Sequence, residues 1–576
     1  MINDYCQEEL QNLRELAVEF AKAHPALAPM LSGPSTDPDV ERLLEGVAFL
    51  TGLLRGKLDD DFPEIVHSLM ELIFPHLLRP VPASTVVAFS PKPGLQESVI
   101  VKAGTSLAGV PIDGVTCLFR TCFHVEAHPL KITAAELRQS PGQPDRIRIA
   151  CELTGPTLDQ WRPTRLGFFL GDSLSLAMDL FLLLSRYIRR ITVAPAAGGM
   201  PTELPPGSLH AVGFDLDNAL LAFPRQAFRG YRLLQEYFIL PEKFLFFELQ
   251  GWDAWRDRGK GNAFELLFEL MPAPVAPPRV KADSFVLNAT PVINLFRQEA
   301  EPVQLDHRTE KVRIRPATKQ PGCYQVYSVD TVAGYRQGSV TRRDYRPLEA
   351  FSAQTGGAAV YQVIRARSPI DGTPETMLSF AYSSDPADLV SETLSITLTC
   401  TNGTLPERLQ LGDICKPTED SPELLTYRNI LPLTPAVEPV LGKNALWRLL
   451  AHLSLNFMAL ADSTGLKEML RQYIPAGRDR ARVSANIKQV DGVADFTVTP
   501  SDRLFRGQVM RGQQVALTVR QDHYTGLGGM FLFGSVLELF MGVYCSMNSY
   551  SQFQIKDTLS GETFSWPPRI GDRQLS

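Results

Sequence analysis

Through the first eighty residues, apolar side chains recur every three or four positions, the spacing that lays a stripe along one face of a helix. Leu10, Leu13, Leu16 and Phe20 form a first stripe; Pro25 and Pro29 end it, and Gly33-Pro34 reads as a linker. Val40, Leu43, Leu44, Val47, Leu50, Leu54 and Leu58 form a second. Asp37 can cap its first turn, Pro38 suits the first helical position, and Asp39 and Glu41 favour the positive end of the dipole. A helix over 38–60 would be roughly 35 Å long, a strut. Ile65, Leu69, Leu72 and Ile73 line a third helix, stopped by Pro75. Val40, Leu43, Leu44, Val47 and Leu50 are the candidate partner-binding residues. Their stripe is isolated between Gly33-Pro34 and the proline-bearing boundary after Arg79. It suits an intermolecular helical bundle, with part of it serving the chain's own fold.

From Thr85 the period shortens to that of strands, around 85–89, 98–102, 117–126 and 146–153, separated by turns bearing Pro or Gly. A helix over 172–188 interrupts them. Tyr237-Phe238 and the run Phe244 to Phe247 read as strand buried on both faces. Met271-Pro-Ala-Pro-Val-Ala-Pro-Pro is too proline-dense for helix or central sheet and marks a boundary. Strands resume near 284–288, 312–315, 323–329 and 394–400. After Pro432, Asn444 can cap a helix with the stripe Leu446, Leu449, Leu450, Leu453 and Phe457. A helix over 465–473, strands near 496–498 and 514–519, an apolar helix over 535–544 and a strand from Tyr550 follow. The expected fold class is α+β and multidomain: a helical segment (1–82), two β-rich modules (83–272 and 273–432) and a mixed α/β domain (433–576).

Composition narrows the function. A chain of 576 residues exceeds one hydrophobic core. The net charge of −6, with no basic cluster, argues against nucleic acid as a ligand. Eight scattered cysteines read as buried thiols of a reducing compartment. The acidic N-terminus lacks the basic and apolar regions of a signal peptide. The apolar segments 166–187 and 527–547 carry Asp172, Asp179 and Glu538, costly in hydrocarbon, and read as buried core. No membrane insertion is expected.

The chemistry-bearing clusters have plain explanations. Cys117, Cys122, His124 and His128 crowd twelve residues, but strand alternation sends Cys117 to the face opposite Cys122 and His124, so four zinc ligands do not converge. Asp59-Asp60-Asp61 lacks the distal Glu of a calcium loop and reads as a helix junction with Asp61 capping. Gly52-Leu-Leu-Arg-Gly56-Lys57 is too short for a phosphate loop, and Leu58 replaces the hydroxyl residue. Asn288, Asn294 and Asn402 adjoin Pro or Gly and read as turn residues. No serine-hydrolase, metalloprotease or Cys-x-x-Cys motif occurs. No catalytic residue, metal or cofactor is expected; the alternative is an enzyme with an unrecognised site between the β-rich modules.

Several blocks, in order, resemble the TssF (ImpG or VasA) family of type VI secretion baseplate subunits. They begin with the helix over 5–21, Pro25 and the block from Asp37 to Gly46. Tyr231-Arg-Leu-Leu-Gln-Glu-Tyr-Phe-Ile-Leu-Pro-Glu-Lys-Phe-Leu-Phe-Phe247 and Thr290-Pro-Val-Ile-Asn-Leu-Phe296 follow. Thr399-Cys-Thr-Asn-Gly-Thr-Leu-Pro406, Leu446-Trp-Arg-Leu-Leu-Ala-His-Leu-Ser-Leu-Asn456 and Phe531-Leu-Phe-Gly-Ser-Val-Leu-Glu538 complete them. Gly403 stands where that family commonly has Arg or Lys. The resemblance implies a structural subunit, similar to wedge proteins of contractile phage tails. Its implied partners are a TssG-like subunit, a second copy of itself and TssK- and TssE-like subunits, in wedges around a central spike that nucleate the contractile sheath. It implies a cytoplasmic baseplate docked at the inner face of the membrane complex.

Overall fold

The computed structural model describes residues 74–222, 229–336, 342–348, 359–368, 372–381, 391–441, 463–505, 508–544 and 549–570, apart from 307 and 478. It also describes residues 573–574 and helical residues within 7–17, 42–52 and 67–73. The helix expected over 446–457, Asp59 to Asp61 and Val40 lie outside the described residues.

The strand Ser84–Pro91 is apolar on both faces and is accordingly central, buried along most of its length. It sits in a five-stranded sheet between Ala289–Ile293 and Leu425–Asn429, with Leu118–Thr121 and Ser106–Ala108 beyond the former. Strand pairing therefore crosses the expected boundary at 272. A second five-stranded sheet contains Arg146–Leu153 and Ala263–Leu270, in which buried and half-buried residues alternate. Its inner face carries Ile147, Ile149, Leu266 and Phe268, and Arg148 on its outer face pairs with Glu265. That is the expected pattern for a sheet with one packed face. A four-stranded sheet of Leu209–Val212, Phe246–Leu249, Leu166–Leu170 and Phe285–Leu287 shares the same core.

Residues 296–401 form a separate module with its own core around Leu305, Leu378, Leu394, Ile396 and Leu398. Its sheet runs in the order Phe296–Glu299, Glu392–Thr401, Gln325–Arg336, Arg342–Pro347, Val360–Arg367, Pro374–Ala381 and Lys311–Ile314. Glu301 N–H then donates to Arg315 O and Ala317 N–H to Glu299 O, both at 2.8 Å, bringing the last strand back to the first. A sheet closed in this way hides its edges. The chain enters this barrel after Asn294 and returns at Asn402, so the barrel is an insertion into the first five-stranded sheet.

Five helices among the described residues are, in chain order, α1 (Leu174–Arg186), α2 (Arg229–Ile239), α3 (Ser463–Gln472), α4 (Arg480–Asp491) and α5 (Leu527–Tyr544). Tyr237-Phe238 is thus helical, not strand, although it is buried as expected. The pairing of apolar residues with Arg232, Gln235 and Glu236 masks the helical period there. α4 escapes sequence reading because its polar sequence carries little apolar pattern; its start is set by Asp479, whose carboxylate accepts from Arg482 N–H at 3.1 Å. The long hairpin Val493–Phe505 and Gln508–Val519 leads into α5, and Tyr550–Asp557 returns parallel to the second hairpin strand.

α5 is buried against α1, α2 and Tyr550–Asp557. A Cβ on Gly528 would lie 2.4 Å from the Met178 backbone, so only glycine permits this crossing. Asp179 Oδ1 accepts from Gly528 N–H at 3.1 Å and covers one of the open amides at the start of α5. Among the described residues no helix is long and apolar enough to cross a membrane.

Candidate partner-binding surface

Leu43, Val47 and Leu50 follow one another at helical spacing, and all three point outward: Leu43 is 70% exposed, Val47 41% and Leu50 62%. Leu44 is half-buried, and Ala48 and Gly52 are buried. The helix thus rests on a narrow inner face of Leu44, Ala48 and Gly52, while Leu43, Val47 and Leu50 are uncovered. Phe49, outside the stripe read from the sequence, is also exposed. Fully burying one such leucine or valine contributes about 1.5–3 kcal/mol, a gain left partly untaken at these three positions. An apolar face of this kind is a candidate interaction surface.

Elsewhere in the chain, buried polar groups tie the modules together. Asn294 clamps both crossings into the barrel. Its amide donates to Leu118 O at 2.7 Å and Asn402 Oδ1 at 2.9 Å. Its side-chain carbonyl accepts from the Thr401 hydroxyl and from Asn402 N–H, each at 2.7 Å. Asn294 and Asn402 are therefore a staple and not turn residues, a role invisible without knowing that their segments meet. Asn288 does sit in a tight bend, at φ +54°.

Glu71, from the N-terminal helical segment, faces Arg365 of the barrel at 3.8 Å, and Arg365 Nη2 also donates to Tyr327 O at 2.7 Å. Tyr327 in turn donates its hydroxyl to Ala222 O at 3.0 Å, with the Arg79 guanidinium 5.3 Å from its ring centre. Deeper still, Glu236 pairs with Lys243, both wholly buried, and accepts from the amides of Leu220 and Leu221 at 2.8 and 2.9 Å. Burial pushes the Lys243 pKa down to about 8, against the attraction of Glu236. Glu538 on α5 pairs with Arg569 in the same manner. Removing one member of such a pair strands a buried charge, at a cost of about 3–5 kcal/mol.

Cys117 and Cys122 lie in different hydrophobic cores, as the alternation required, although a break at 122–124 divides the expected strand in two. Burial pushes both thiols up to about 12. His128 is buried as a structural hub. Its Nε2 bonds Arg165 O and its Nδ1 lies within 2.7 Å of the Ser98 hydroxyl, while Trp161 donates to Nδ1 at 3.3 Å. Burial holds its pKa below the usual histidine range. Among the described residues no three His, Cys, Asp or Glu side chains gather as metal ligands.

Buried polar contacts thus staple the modules to one another, and one helix leaves apolar side chains uncovered. The family model for type VI secretion system TssF matches residues 1–573. TssF1 of Pseudomonas aeruginosa, a type VI secretion system component, is 31% identical, with 99% of this chain and 98% of that protein aligned. A chain of the TssK-TssF-TssG baseplate subcomplex, solved by cryo-electron microscopy, superposes with a TM-score of 0.77 at 28% identity, covering 92% of this chain and 98% of that one. A chain of another type VI secretion baseplate complex shares the fold, with a TM-score of 0.62 at 23% identity over the full length of both. This chain belongs to the TssF family.

Proposed function

We propose that the chain is a structural subunit of the type VI secretion baseplate that joins TssG- and TssK-like subunits into a wedge. A TssE-like subunit and a second copy of the chain complete it, and the wedges surround the spike and nucleate the sheath. The assembly is cytoplasmic, docked at the membrane complex, and the subunit works without catalysis, metal or cofactor. In this reading residues 1–82 are the assembly arm, and the β-rich modules with the C-terminal α/β domain are the scaffold that carries it.

The observation that carries the reading is the uncovered face of Leu43, Val47 and Leu50 in a chain that matches TssF proteins along its length. Leu43→Asp tests it. A carboxylate at an exposed position costs the free chain little, but buried without a partner in an interface it costs several kcal/mol. Co-purification with the TssG-like subunit and secretion should both be lost, with the circular dichroism of the chain unchanged. Retention of that subunit at the wild-type ratio would remove this helix from the interface. Unfolding of the isolated chain would assign the stripe to its own core.

A further inference from the structure

The hairpin Val493–Phe505 and Gln508–Val519 outruns the sheet it belongs to. Tyr550–Asp557 pairs with its second strand only from Gly512 to Val519. Beyond that point residues 502–505 and 508–511 pair only with each other among the described residues, as a ribbon about 13 Å long. A free two-stranded ribbon is marginally stable in water. The base of this one is nevertheless fixed. The ring of Tyr550 lies over Gly512, where a Cβ would come within 2.3 Å of it, and the Tyr550 hydroxyl bonds Ser501 at 2.6 Å.

Opposite residues of an antiparallel pair share a face, and every second pair returns to it. The register therefore puts Asp502 beside Arg511, and Leu504 beside Val509, on the face that carries Phe496, Val515 and Leu517 into the core. Past the core that face lies open: Leu504 is 71% exposed and Val509 69%. Asp502 and Arg511 are exposed as well, and among the described residues neither side chain makes a hydrogen bond or ion pair. Each strand thus offers one apolar residue and one free charge, and the two charges are opposite. Such a face complements itself. Turned by 180° about the ribbon's long axis and laid against the original, it sets Asp502 of each copy over Arg511 of the other and Leu504 over Val509. A uniformly acidic or basic partner would meet a like charge at one of the two positions.

We infer that this ribbon is where a second copy of the chain docks, two ribbons packing face to face about a two-fold axis. The inference deepens the proposed function and rests on the second copy named there. The contact is too small to hold a dimer alone, since a stable interface buries about 1,000 Å² or more. It acts on copies that other subunits already hold close, where the effective concentration is high.

Cross-linking within the complex co-expressed with the TssG-like subunit tests it. Two differently tagged forms of the full chain are used, one with Leu504→Cys and the other with Val509→Cys, and a short bismaleimide joins them. A product carrying both tags should form well above the level given by wild-type chains, in which Cys415 is exposed. Asp502→Arg in both forms sets Arg against Arg at both contacts and should lower the yield about ten-fold. Asp502→Arg in one form with Arg511→Asp in the other restores an opposite pair at each contact, and the yield should return. All four positions are exposed, so none of these substitutions disturbs a buried contact. Absence of the product, capture of a different subunit in its place, or a yield that ignores the charges or fails to return would each overturn the inference. Native mass spectrometry of the same complex counts the chains. Two copies without the cross-link remove the ribbon contact alone, and a single copy removes the second-copy part of the proposed function with it.

Discussion

Two apolar helical stretches of this chain meet opposite fates. α5 carries Val536, Leu537 and Phe540 wholly buried between α1, α2 and the sheet. Residues 42–52 are also rich in leucine and valine, yet Leu43 and Leu50 stay mostly in water. Hydrophobicity alone does not separate them. α5 is apolar around its whole circumference, so it can be stable only inside something. The N-terminal helix has one apolar side and a small inner face at Ala48 and Gly52, so it can lie on the chain and still present leucines outward. The first is completed within the chain, and the second is the one we propose another chain completes.

The largest effect that sharpens this contrast is expected from Leu537→Asp. Burying an unpaired carboxylate costs several kcal/mol, a large share of a domain's stability, whereas Leu43→Asp costs the isolated chain almost nothing. Thermal denaturation of the two purified variants should show the C-terminal domain lost in one and a wild-type profile in the other. Equal destabilisation would erase the distinction between the helices. Next comes Gly528→Ala. The added methyl would press on the Met178 backbone, which cannot swing aside like a side chain, so α1 and α5 must part. Overpacking of this kind costs about 1–3 kcal/mol, read as a lower urea midpoint.

Much of this contrast was legible in the sequence, and the reasons for the remainder are physical. Periodicity located the N-terminal stripe, α1, α3 and strands near 496–498 and 514–519 because each places apolar residues on a face at regular spacing. It could not say which leucines of the stripe the chain would cover, since burial of Leu44 and exposure of Leu43 depend on where the helix lies. Proline-rich segments at 271–278 looked like a domain boundary. Strand pairing nevertheless sets Ala289–Ile293 beside Ser84–Pro91 across that segment, and such long-range pairing leaves no local signature. Asn294 and Asn402 show the same limit: each looks like a turn residue alone, and they become a staple only because their blocks meet. The family blocks 231–247, 290–296, 399–406 and 531–538 hold the Glu236–Lys243 pair, Glu538 and the Asn294–Asn402 staple, so the resemblance rested in part on residues whose work is structural.

A moderate effect is expected from alkali, and it bears on the buried side of the contrast alone. Cys117, Cys122, Cys151 and Cys400 are pushed by burial from 9.0 up to about 12. Above pH 9 the unfolded chain releases these protons while the folded chain keeps them, so stability falls as pH rises from about 9 to about 12, by at most about 1.4 kcal/mol per thiol per pH unit. Lys243 acts in the opposite sense. Its pKa drops from 10.5 to about 8, so its contribution improves across that interval, but it is one group against four. Urea midpoints should decline above pH 9, and Cys151→Ala should make the decline shallower. A midpoint flat to pH 11 would mean that these thiols are reached by water.

The smallest effect is the most discriminating. Gly46 lies on the uncovered face, three residues after Leu43 and four before Leu50, with nothing within 4 Å of where a Cβ would stand. In the isolated chain Gly46→Ala should stabilise the helix by about 0.5–1 kcal/mol, because alanine loses less backbone freedom than glycine on becoming helical. A helix of another chain lying across the stripe would approach most closely where the side chain is absent, and there the new methyl would hold the two apart. The expected result is therefore opposite in sign in the two states: a slightly higher melting temperature for the chain alone and weaker co-purification of the TssG-like subunit. Gain in both would show that the partner does not cover Gly46. Loss in both would show that the free chain already covers it, and that the N-terminal helix is as internal as α5.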